Sequence, residues 1–250
     1  MQATRNPTIP VLVLKDVAIG FDASTPLVKV PDFEVFPGEI IAIAGPSGIG
    51  KSTLLRTIAG LVRPISGSVE VCGNLLPEKA PRGSLGYIPQ KLGLVRHASV
   101  RHNVDQGARA GTNIIGPTGS ASLLEAWLAV RKERQDRSIR AIEEMKLTEK
   151  SREPIRRLSG GQQRRVATAR TLAQRPRLIL ADEFLSELDE ETLSSVLEAV
   201  TNYVKESNAS MIVVEHDIAR AKMMADKLLI IDDGRMNPFI EGTQALEVNP

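Results

Sequence analysis

The chain has 250 residues, 42% of them hydrophobic and 25% charged, a composition that suits one α/β unit with a sizeable core. The net charge of +2 is too close to neutral to indicate wholesale nucleic-acid binding, and the single cysteine, Cys72, excludes an internal disulfide framework. No stretch approaches the roughly 18 apolar residues needed to cross a bilayer, and the N-terminus lacks a signal-peptide layout. We therefore expect a cytoplasmic chain.

The first half of the sequence alternates β-type and helical patterns. A strand is predicted over 11–17 and a turn over 20–26. The fully apolar run Ile40–Ala44 is typical of a buried parallel strand. A helix is predicted over 53–61 and another strand over Ser66–Val71.

The second half continues this alternation after an irregular connector, predicted over 107–119 from its Gly, Thr, Asn and Pro content. The longest predicted helix covers 122–145. Its basic cluster is either a solvated face or a surface near anionic lipid headgroups. The residues of this cluster are Arg131, Lys132, Arg134, Arg137 and Arg140. Further helices are predicted over 160–172, 191–204 and 218–225, and further strands over 178–181, 210–214 and 228–231.

The segment after the first buried strand has the Walker A pattern G-x-x-x-x-G-K-[ST] at every position. Glycines permit the dihedral angles with which backbone amides surround a phosphate, and the following helix points its N-terminus at the same charge. Lys51 is placed to neutralise β- and γ-phosphate oxygens, and the Ser52 hydroxyl to bind Mg²⁺. The predicted nucleotide-binding residues here are Gly45, Pro46, Ser47, Gly48, Ile49, Gly50, Lys51, Ser52 and Thr53.

Another apolar strand, within residues 177–183, ends in two carboxylates and matches the Walker B pattern. A buried strand would deliver Asp182 to the Mg²⁺ shell, because Mg²⁺ prefers hard oxygen ligands. Glu183 follows and is placed to polarise the attacking water. Such a base typically contributes roughly 10²–10⁴-fold to the rate.

A third segment, residues 158–163, reads L-S-G-G-Q-Q and opens a predicted helix. Ser159 is a good N-cap, and the glycines let backbone N–H groups approach an anion closely. Alone, the segment indicates only a helix cap; beside a phosphate loop, the cap and phosphate-binding interpretations become one hypothesis. The residues predicted to bind nucleotide here are Ser159, Gly160, Gly161 and Gln162.

Together these motifs resemble the ATP-binding-cassette (ABC) ATPases over about residues 12–236. The resemblance implies one ABC domain over residues 1–250, an α/β P-loop NTPase fold. Its central, mainly parallel sheet is flanked by helices, with an N-terminal antiparallel β part and a helical subdomain at about 84–151. The resemblance also implies that residues 158–163 contact the γ-phosphate bound by the opposite subunit. The working unit would be a head-to-tail dimer that sandwiches two ATP molecules, with Mg²⁺.

The resemblance assigns roles to four further residues. Gln90 resembles the Q-loop glutamine, which senses Mg²⁺ and nucleotide, and His216 the switch histidine that contacts the γ-phosphate. Asp189 lies in a segment similar to the D-loop at the dimer interface. Phe21 occupies the place of an aromatic that stacks on adenine, with a core or turn phenylalanine as the alternative. The predicted catalytic residues are Glu183, His216 and Gln90, and the predicted metal-binding residues are Ser52, Gln90 and Asp182.

Two residues depart from the family pattern. Phe184 follows the Walker B glutamate where the family commonly has proline, which would fix φ and remove an N–H. D-loop geometry is therefore open at this point. Glu215 precedes His216 and adds negative charge near the γ-phosphate, so we expect its side chain to point away from that phosphate.

The resemblance also implies partners: membrane-spanning permease subunits, a second ATPase subunit in a homodimer, and a solute-binding protein for an importer. It places the chain at the cytoplasmic face of the membrane, without direct nucleic-acid contact. Residues 90–104 and the insert after them are similar to phosphonate-type importer ATPases, which favours import of a small polar or anionic solute. The alternatives are an exporter or lipid- or lipoprotein-release ATPase, and a soluble ABC ATPase acting on nucleic acid or ribosomes. The last is disfavoured by the single Walker A motif and the absence of sustained heptads.

Overall fold

The computed structural model describes residues 9–22, 24–112, 123–185 and 188–241. The helices are α1 (Lys51–Ile58), α2 (Val100–Gly111), α3 (Leu123–Glu144), α4 (Gly160–Ala173), α5 (Glu190–Ser207) and α6 (Ile218–Lys222), with a 3₁₀ turn at Ile155–Arg157. The strands are β1 (Leu12–Ile19), β2 (Val28–Val30), β3 (Phe33–Val35), β4 (Ile40–Ala44), β5 (Ser66–Val71), β6 (Asn74–Leu75), β7 (Leu85–Ile88), β8 (Leu178–Asp182), β9 (Ser210–Glu215), β10 (Lys227–Asp232) and β11 (Arg235–Glu241).

The described strands form one mixed sheet in the order β6-β5-β1-β2-β11-β10-β4-β9-β8-β7, with β3 paired to β1. The run from β10 through β4, β9 and β8 to β7 is parallel. The N-terminal strand β1 instead pairs antiparallel with β2, β3 and β5. The predicted fold class, a mainly parallel sheet flanked by helices with an N-terminal antiparallel part, is confirmed.

Strand β4 is buried on both faces because it lies between the two hydrophobic cores of the molecule. Ile40, Ala42 and Ala44 belong to a core that includes buried residues of α2, α3, α4 and α5. Ile41 and Ile43 face a second core, shared with α1 and the antiparallel strands. A strand that is covered on both faces reads as a continuous apolar run, which explains why this element is visible in the sequence.

Helix α2 corrects the prediction of an irregular connector from residue 107, since it runs on to Gly111. A Cβ added at Gly107 would collide with the carbonyl oxygen of Arg170, and one at Gly111 with that of Gln174. The two glycines are therefore where α2 and α4 approach most closely. Residues 113–119 of the predicted connector lie outside the described residues.

Strand β7 falls within the range 84–151 that the sequence assigns to the helical subdomain, yet it pairs with β8 in the central sheet. The helical part therefore starts beyond it, with α2 and α3 packed on each other and on α4. In the part of the chain that the structure describes, no helix is both long and apolar enough to span a membrane.

Candidate functional site

The site lies at the carboxyl edge of the parallel sheet. Because β4, β8 and β9 are parallel neighbours, the residues that follow them meet at the same edge. Ala44 is the register partner of Glu215, and Asp182 is the partner of Val214. The fold thereby brings together the Walker A loop, the Walker B carboxylates and the segment that contains His216.

The Walker A loop takes its shape from glycines at positive φ. Gly45 has φ 154°, and a Cβ there would lie 2.5 Å from the carbonyl oxygen of Ile231. Gly50 has φ 114° and is the N-cap residue of α1. Pro46, Ser47 and Gly48 are exposed, whereas Ile49 is half-buried and Thr53 is buried on α1. The tip of the loop is accordingly open while its base is fixed against the sheet.

Lys51 spans the loop from the start of α1. Its Nζ donates to the carbonyl oxygens of Gly45 at 2.6 Å and of Pro46 at 2.8 Å. Burial lowers the pKa of Lys51, and the neighbouring carboxylates of Glu183, Asp182 and Glu215 oppose that effect. The ammonium group is thus held in a site whose three nearby acids favour its charged form.

Ser52 and Asp182 supply hard oxygen ligands side by side. The Ser52 hydroxyl donates to Oδ1 of Asp182 at 2.9 Å. Oδ2 of Asp182 is buried and has no hydrogen-bond partner among the described residues. Burial raises the pKa of Asp182, while the Ser52 hydroxyl lowers it. An uncompensated buried carboxylate oxygen next to a hydroxyl fits Mg²⁺, which prefers such donors and would replace the missing partner.

Glu183 is held in an unusual backbone conformation with φ 47°, in the left-handed region. Its N–H donates to the carbonyl oxygen of Val214 at 2.9 Å, and its own carbonyl accepts from Nη1 of Arg164 at 2.8 Å. Its Oε2 accepts from the amide Nε2 of Gln90 at 2.6 Å. The carboxylate is therefore oriented by the backbone on one side and by the Q-loop glutamine on the other.

Arg164 is a site residue that the sequence analysis did not single out. It is buried on α4, one turn beyond the glycines of the L-S-G-G-Q-Q segment. Nothing in the sequence marks this arginine, because its burial becomes visible only in the fold; a buried guanidinium must find acceptors inside the protein. Here one of them is the carbonyl of the proposed catalytic glutamate.

Both residues that depart from the family pattern are buried in the structure. Phe184 is fully buried in the core that β4 shares with α2, α3, α4 and α5. Glu215 is also buried; its Oε1 accepts from the Leu185 N–H at 3.4 Å, and its Oε2 has no partner among the described residues. Burial, with a smaller contribution from Glu183, raises the pKa of Glu215 to about 7. Glu215 thus faces the backbone after Glu183 rather than solvent.

The L-S-G-G-Q-Q segment makes only local hydrogen bonds among the described residues. Ser159 is the N-cap of α4 and forms a capping box: its Oγ accepts from the Gln162 N–H at 3.2 Å, and Oε1 of Gln162 accepts from the Ser159 N–H at 3.1 Å. Gly160 is exposed and Gly161 half-buried. The segment is not joined to the Walker A loop of the same chain by any of these bonds.

The remaining predicted residues lie at the surface. Asp189 caps α5 by accepting from the N–H and hydroxyl of Thr192, and these bonds lower its pKa. His216 is exposed directly after β9. Phe21 is 84% exposed, so its ring does not serve the core. That exposure removes the core alternative and leaves the ring open for stacking.

Comparison with known proteins identifies the family to which the chain belongs. Residues 28–186 match the family model described as "ABC transporter". The chain is 35% identical over 230 residues to the phosphonates import ATP-binding protein PhnC 2 of Cupriavidus metallidurans, covering 90% of this chain and 79% of the relative. It is also 35% identical over 217 residues to the L-cystine transport system ATP-binding protein TcyN of Escherichia coli, covering 82% and 80%.

A solved structure agrees with these relatives. The dimeric post-hydrolysis state of the ATP-binding cassette MJ0796 bound to ADP and Pi superposes with a TM-score of 0.75 at 26% identity. It covers 94% of this chain and 100% of that chain.

Proposed function

The chain belongs to the ABC transporter family as an ATP-binding, ATP-hydrolysing subunit, and from that premise we propose that it powers import of a small polar or anionic solute. The observation that carries the catalytic part is the arrangement of Ser52, Asp182, Glu183 and Gln90 at one sheet edge, joined by two side-chain hydrogen bonds. The observation that favours import is that the relatives named above are a phosphonates importer and an L-cystine transport subunit.

In the proposed reaction, the Walker A amides and Lys51 hold the β- and γ-phosphates of ATP. Ser52 and Asp182 would hold Mg²⁺, which supplies charge neutralisation at the phosphate oxygens. Glu183 polarises a water molecule that attacks the γ-phosphorus. As the new P–O bond forms, the bond to the β,γ-bridging oxygen breaks, and ADP and phosphate are released.

Gln90 and His216 complete the proposed catalytic set from outside the loop. The Gln90 amide donates to Oε2 of Glu183 at 2.6 Å and so orients the carboxylate. The same glutamine is placed to join the metal site when nucleotide enters. His216, exposed at the end of β9, is free to donate to a γ-phosphate oxygen.

We propose that the second half of each site comes from another copy of the chain. Ser159 and Gly160 of the L-S-G-G-Q-Q segment are exposed, and a helix N-terminus with adjacent glycines suits a phosphate. Its capping box uses the side chain of Ser159 and leaves the first backbone N–H groups of α4 to a ligand. A head-to-tail dimer with two ATP molecules would satisfy both segments, with Asp189 and Phe21 at its edges.

We further propose that the dimer drives membrane-spanning permease subunits from the cytoplasmic face, together with a solute-binding protein. Phosphonate-like anions are the solute class that the first of the named relatives suggests. The test is to trap Glu183→Gln protein with ATP in its native host, solubilise the membranes gently, and identify what co-purifies.

A multi-helix permease with a solute-binding protein would support import. A permease without a binding protein would favour the exporter or lipid-release alternative and contradict import. Recovery of only ribosomal or DNA-bound material would overturn the transport proposal but leave the ATPase chemistry in place. Lys51→Ala protein, which should not be trapped by ATP, is the matched control for specific capture.

A further inference from the structure

The first half of α3 carries an apolar surface that no part of the described protein covers. Leu123, Leu124, Trp127 and Leu128 are 76%, 64%, 54% and 49% exposed. The buried residues of this helix are confined to its second half, where Ser138 is the first of them. Trp127, Arg131, Arg134 and Ser138 follow at spacings of four, three and four residues, so one face runs from solvent into the core.

A basic cavity of about 320 Å³ lies on this same face, between α2 and α3. Its charged lining consists of Arg101, Asp105, Arg131 and Arg134, and its other polar lining residues are Ser99, His102, Gln135 and Ser138. The one carboxylate is already shared: Asp105 pairs with Arg109 at 2.8 Å and with Arg134 at 3.4 Å. Three guanidinium groups facing one shared carboxylate leave the cavity with an excess of positive charge.

Arg131 joins the cavity to the apolar surface. Its guanidinium lies 5.3 Å from the centroid of the Trp127 ring, a cation–π contact that holds the indole at the cavity rim. Glu125 and Glu133 are the acidic residues of this helix half, and Asp136 lies just beyond it; Glu133 pairs with Arg137. The surface therefore combines apolar side chains, an aromatic rim and a cationic cavity within three turns of one helix.

We propose that this half of α3 binds the surface of an anionic phospholipid bilayer, with a lipid phosphate in the cavity. Apolar and tryptophan side chains bordered by Lys and Arg are the composition of interfacial helices, and guanidinium groups suit phosphate oxygens. The exposed Lys132 adds attraction to the same surface. This site goes beyond the proposed transport function and depends on neither the solute nor hydrolysis.

The test uses an intrinsic probe, because Trp127 is the only tryptophan of the chain. Full-length protein is titrated with phosphatidylglycerol-containing vesicles or with phosphatidylcholine vesicles while tryptophan emission and vesicle flotation are followed. We expect a blue shift and co-flotation with the anionic vesicles only, both weakened by salt. Arg101→Gln should weaken vesicle binding roughly fivefold, the usual effect of one basic residue at an anionic surface.

Arg235→Gln, which removes an exposed guanidinium from β11, is the matched control and should bind vesicles as the parent does. Leu124→Gln tests the apolar contribution and should abolish the blue shift, while soluble ATPase activity remains unchanged. Equal response to both vesicle types, or none to either, would overturn the proposal. So would a blue shift that follows protein concentration without vesicles, which would assign the surface to a second copy, or saturation of the response by inorganic phosphate alone.

Discussion

The catalytic edge of the sheet and the L-S-G-G-Q-Q segment are both predicted to meet the same nucleotide, yet they are built in opposite ways. The edge joins residues from four distant parts of the chain: Lys51, Asp182 and Glu215 are buried, and the exposed Gln90 donates to the half-buried Glu183. The segment makes only local hydrogen bonds among the described residues, including its own capping box, and Ser159 and Gly160 are exposed.

This difference shows which parts of the site depend on the fold of one chain. The edge holds three carboxylates and an ammonium close together, at the cost of buried charge and of two carboxylate oxygens that have no hydrogen-bond partner among the described residues. The segment needs only a helix N-terminus and glycines. We therefore expect substitutions at the edge to change chemistry and stability together, and substitutions in the segment to change assembly.

The largest expected effect is on hydrolysis at the edge. Glu183→Gln should reduce ATP turnover by roughly 10²–10⁴-fold because the proposed base is lost. ATP binding and ATP-dependent dimerisation should persist, since the amide is nearly isosteric. Phosphate release and gel filtration with ATP measure the two properties. Glu190→Gln, an exposed change on α5, is the control; parental turnover in Glu183→Gln would remove the base assignment.

Glu215→Gln should reveal the cost of the buried charge at the edge. Its pKa of about 7 in the folded protein lies above the unfolded value of 4.5, so the folded state binds the proton more tightly. Below pH 4.5 both states are protonated and nothing is lost. As pH rises through 7, the parent loses up to about 3 kcal/mol of stability that the glutamine variant keeps.

Urea unfolding at pH 8 and at pH 5 measures this difference. The variant should be more stable than the parent at pH 8, and the two should differ far less at pH 5. The glutamine carbonyl can still accept from the Leu185 N–H, so the contact itself is preserved. A variant that is less stable at pH 8 would show that the carboxylate is net stabilising where it lies.

Lys51→Ala tests the contribution of this lysine to ATP binding at the edge of the sheet. Loss of a charge-assisted donor to phosphate should weaken ATP binding by about 1.5–3 kcal/mol. A fluorescent ATP analogue titrated into the protein measures the affinity. Lys205→Ala on α5, where the lysine is exposed, should bind ATP as the parent does. Unchanged affinity in Lys51→Ala would contradict the assignment of this lysine to the phosphates.

The smallest effect is expected at the segment, where two serines form a matched pair of helix caps. Ser159 caps α4, and Ser99 caps α2 by accepting from the His102 N–H. Ser159→Ala and Ser99→Ala should each cost about 1 kcal/mol of stability. Only Ser159→Ala should also lower ATP-dependent dimerisation. Equal dimerisation in both variants would show that Ser159 acts only as a helix cap and would contradict a role of the segment in assembly.

The parts of the fold that the sequence predicts correctly are those with local causes. Ile40–Ala44 is covered on both faces and reads as an apolar run, and the Walker A glycines adopt the positive φ values that the loop requires. The assignments of individual site residues remain predictions, but the structure does bring Ser52 to Asp182 and Gln90 to Glu183.

The parts that the sequence misses depend on distant contacts. Gly107 and Gly111 are residues that usually indicate a connector, yet both lie in helix α2. Glycine is required there because a Cβ would collide with the carbonyl oxygens of Arg170 and Gln174. Arg164 shows no special pattern along the chain, and its acceptor is 19 residues away. The side-chain surroundings of Glu215 likewise come from residues 164, 183 and 185, which no periodicity connects.

Helix α4 has a consequence for how two nucleotides communicate. Its N-cap is Ser159, and five residues later its Arg164 donates to the carbonyl of Glu183. These two points are separated by roughly 7 Å along the helix axis. In the proposed dimer, the N-terminus of this helix contacts the ATP of the neighbouring subunit, while Arg164 in its second turn holds the backbone of the glutamate that serves the subunit's own ATP. We therefore expect hydrolysis or release of one nucleotide to shift α4 and so to change the position of the glutamate that acts on the other nucleotide.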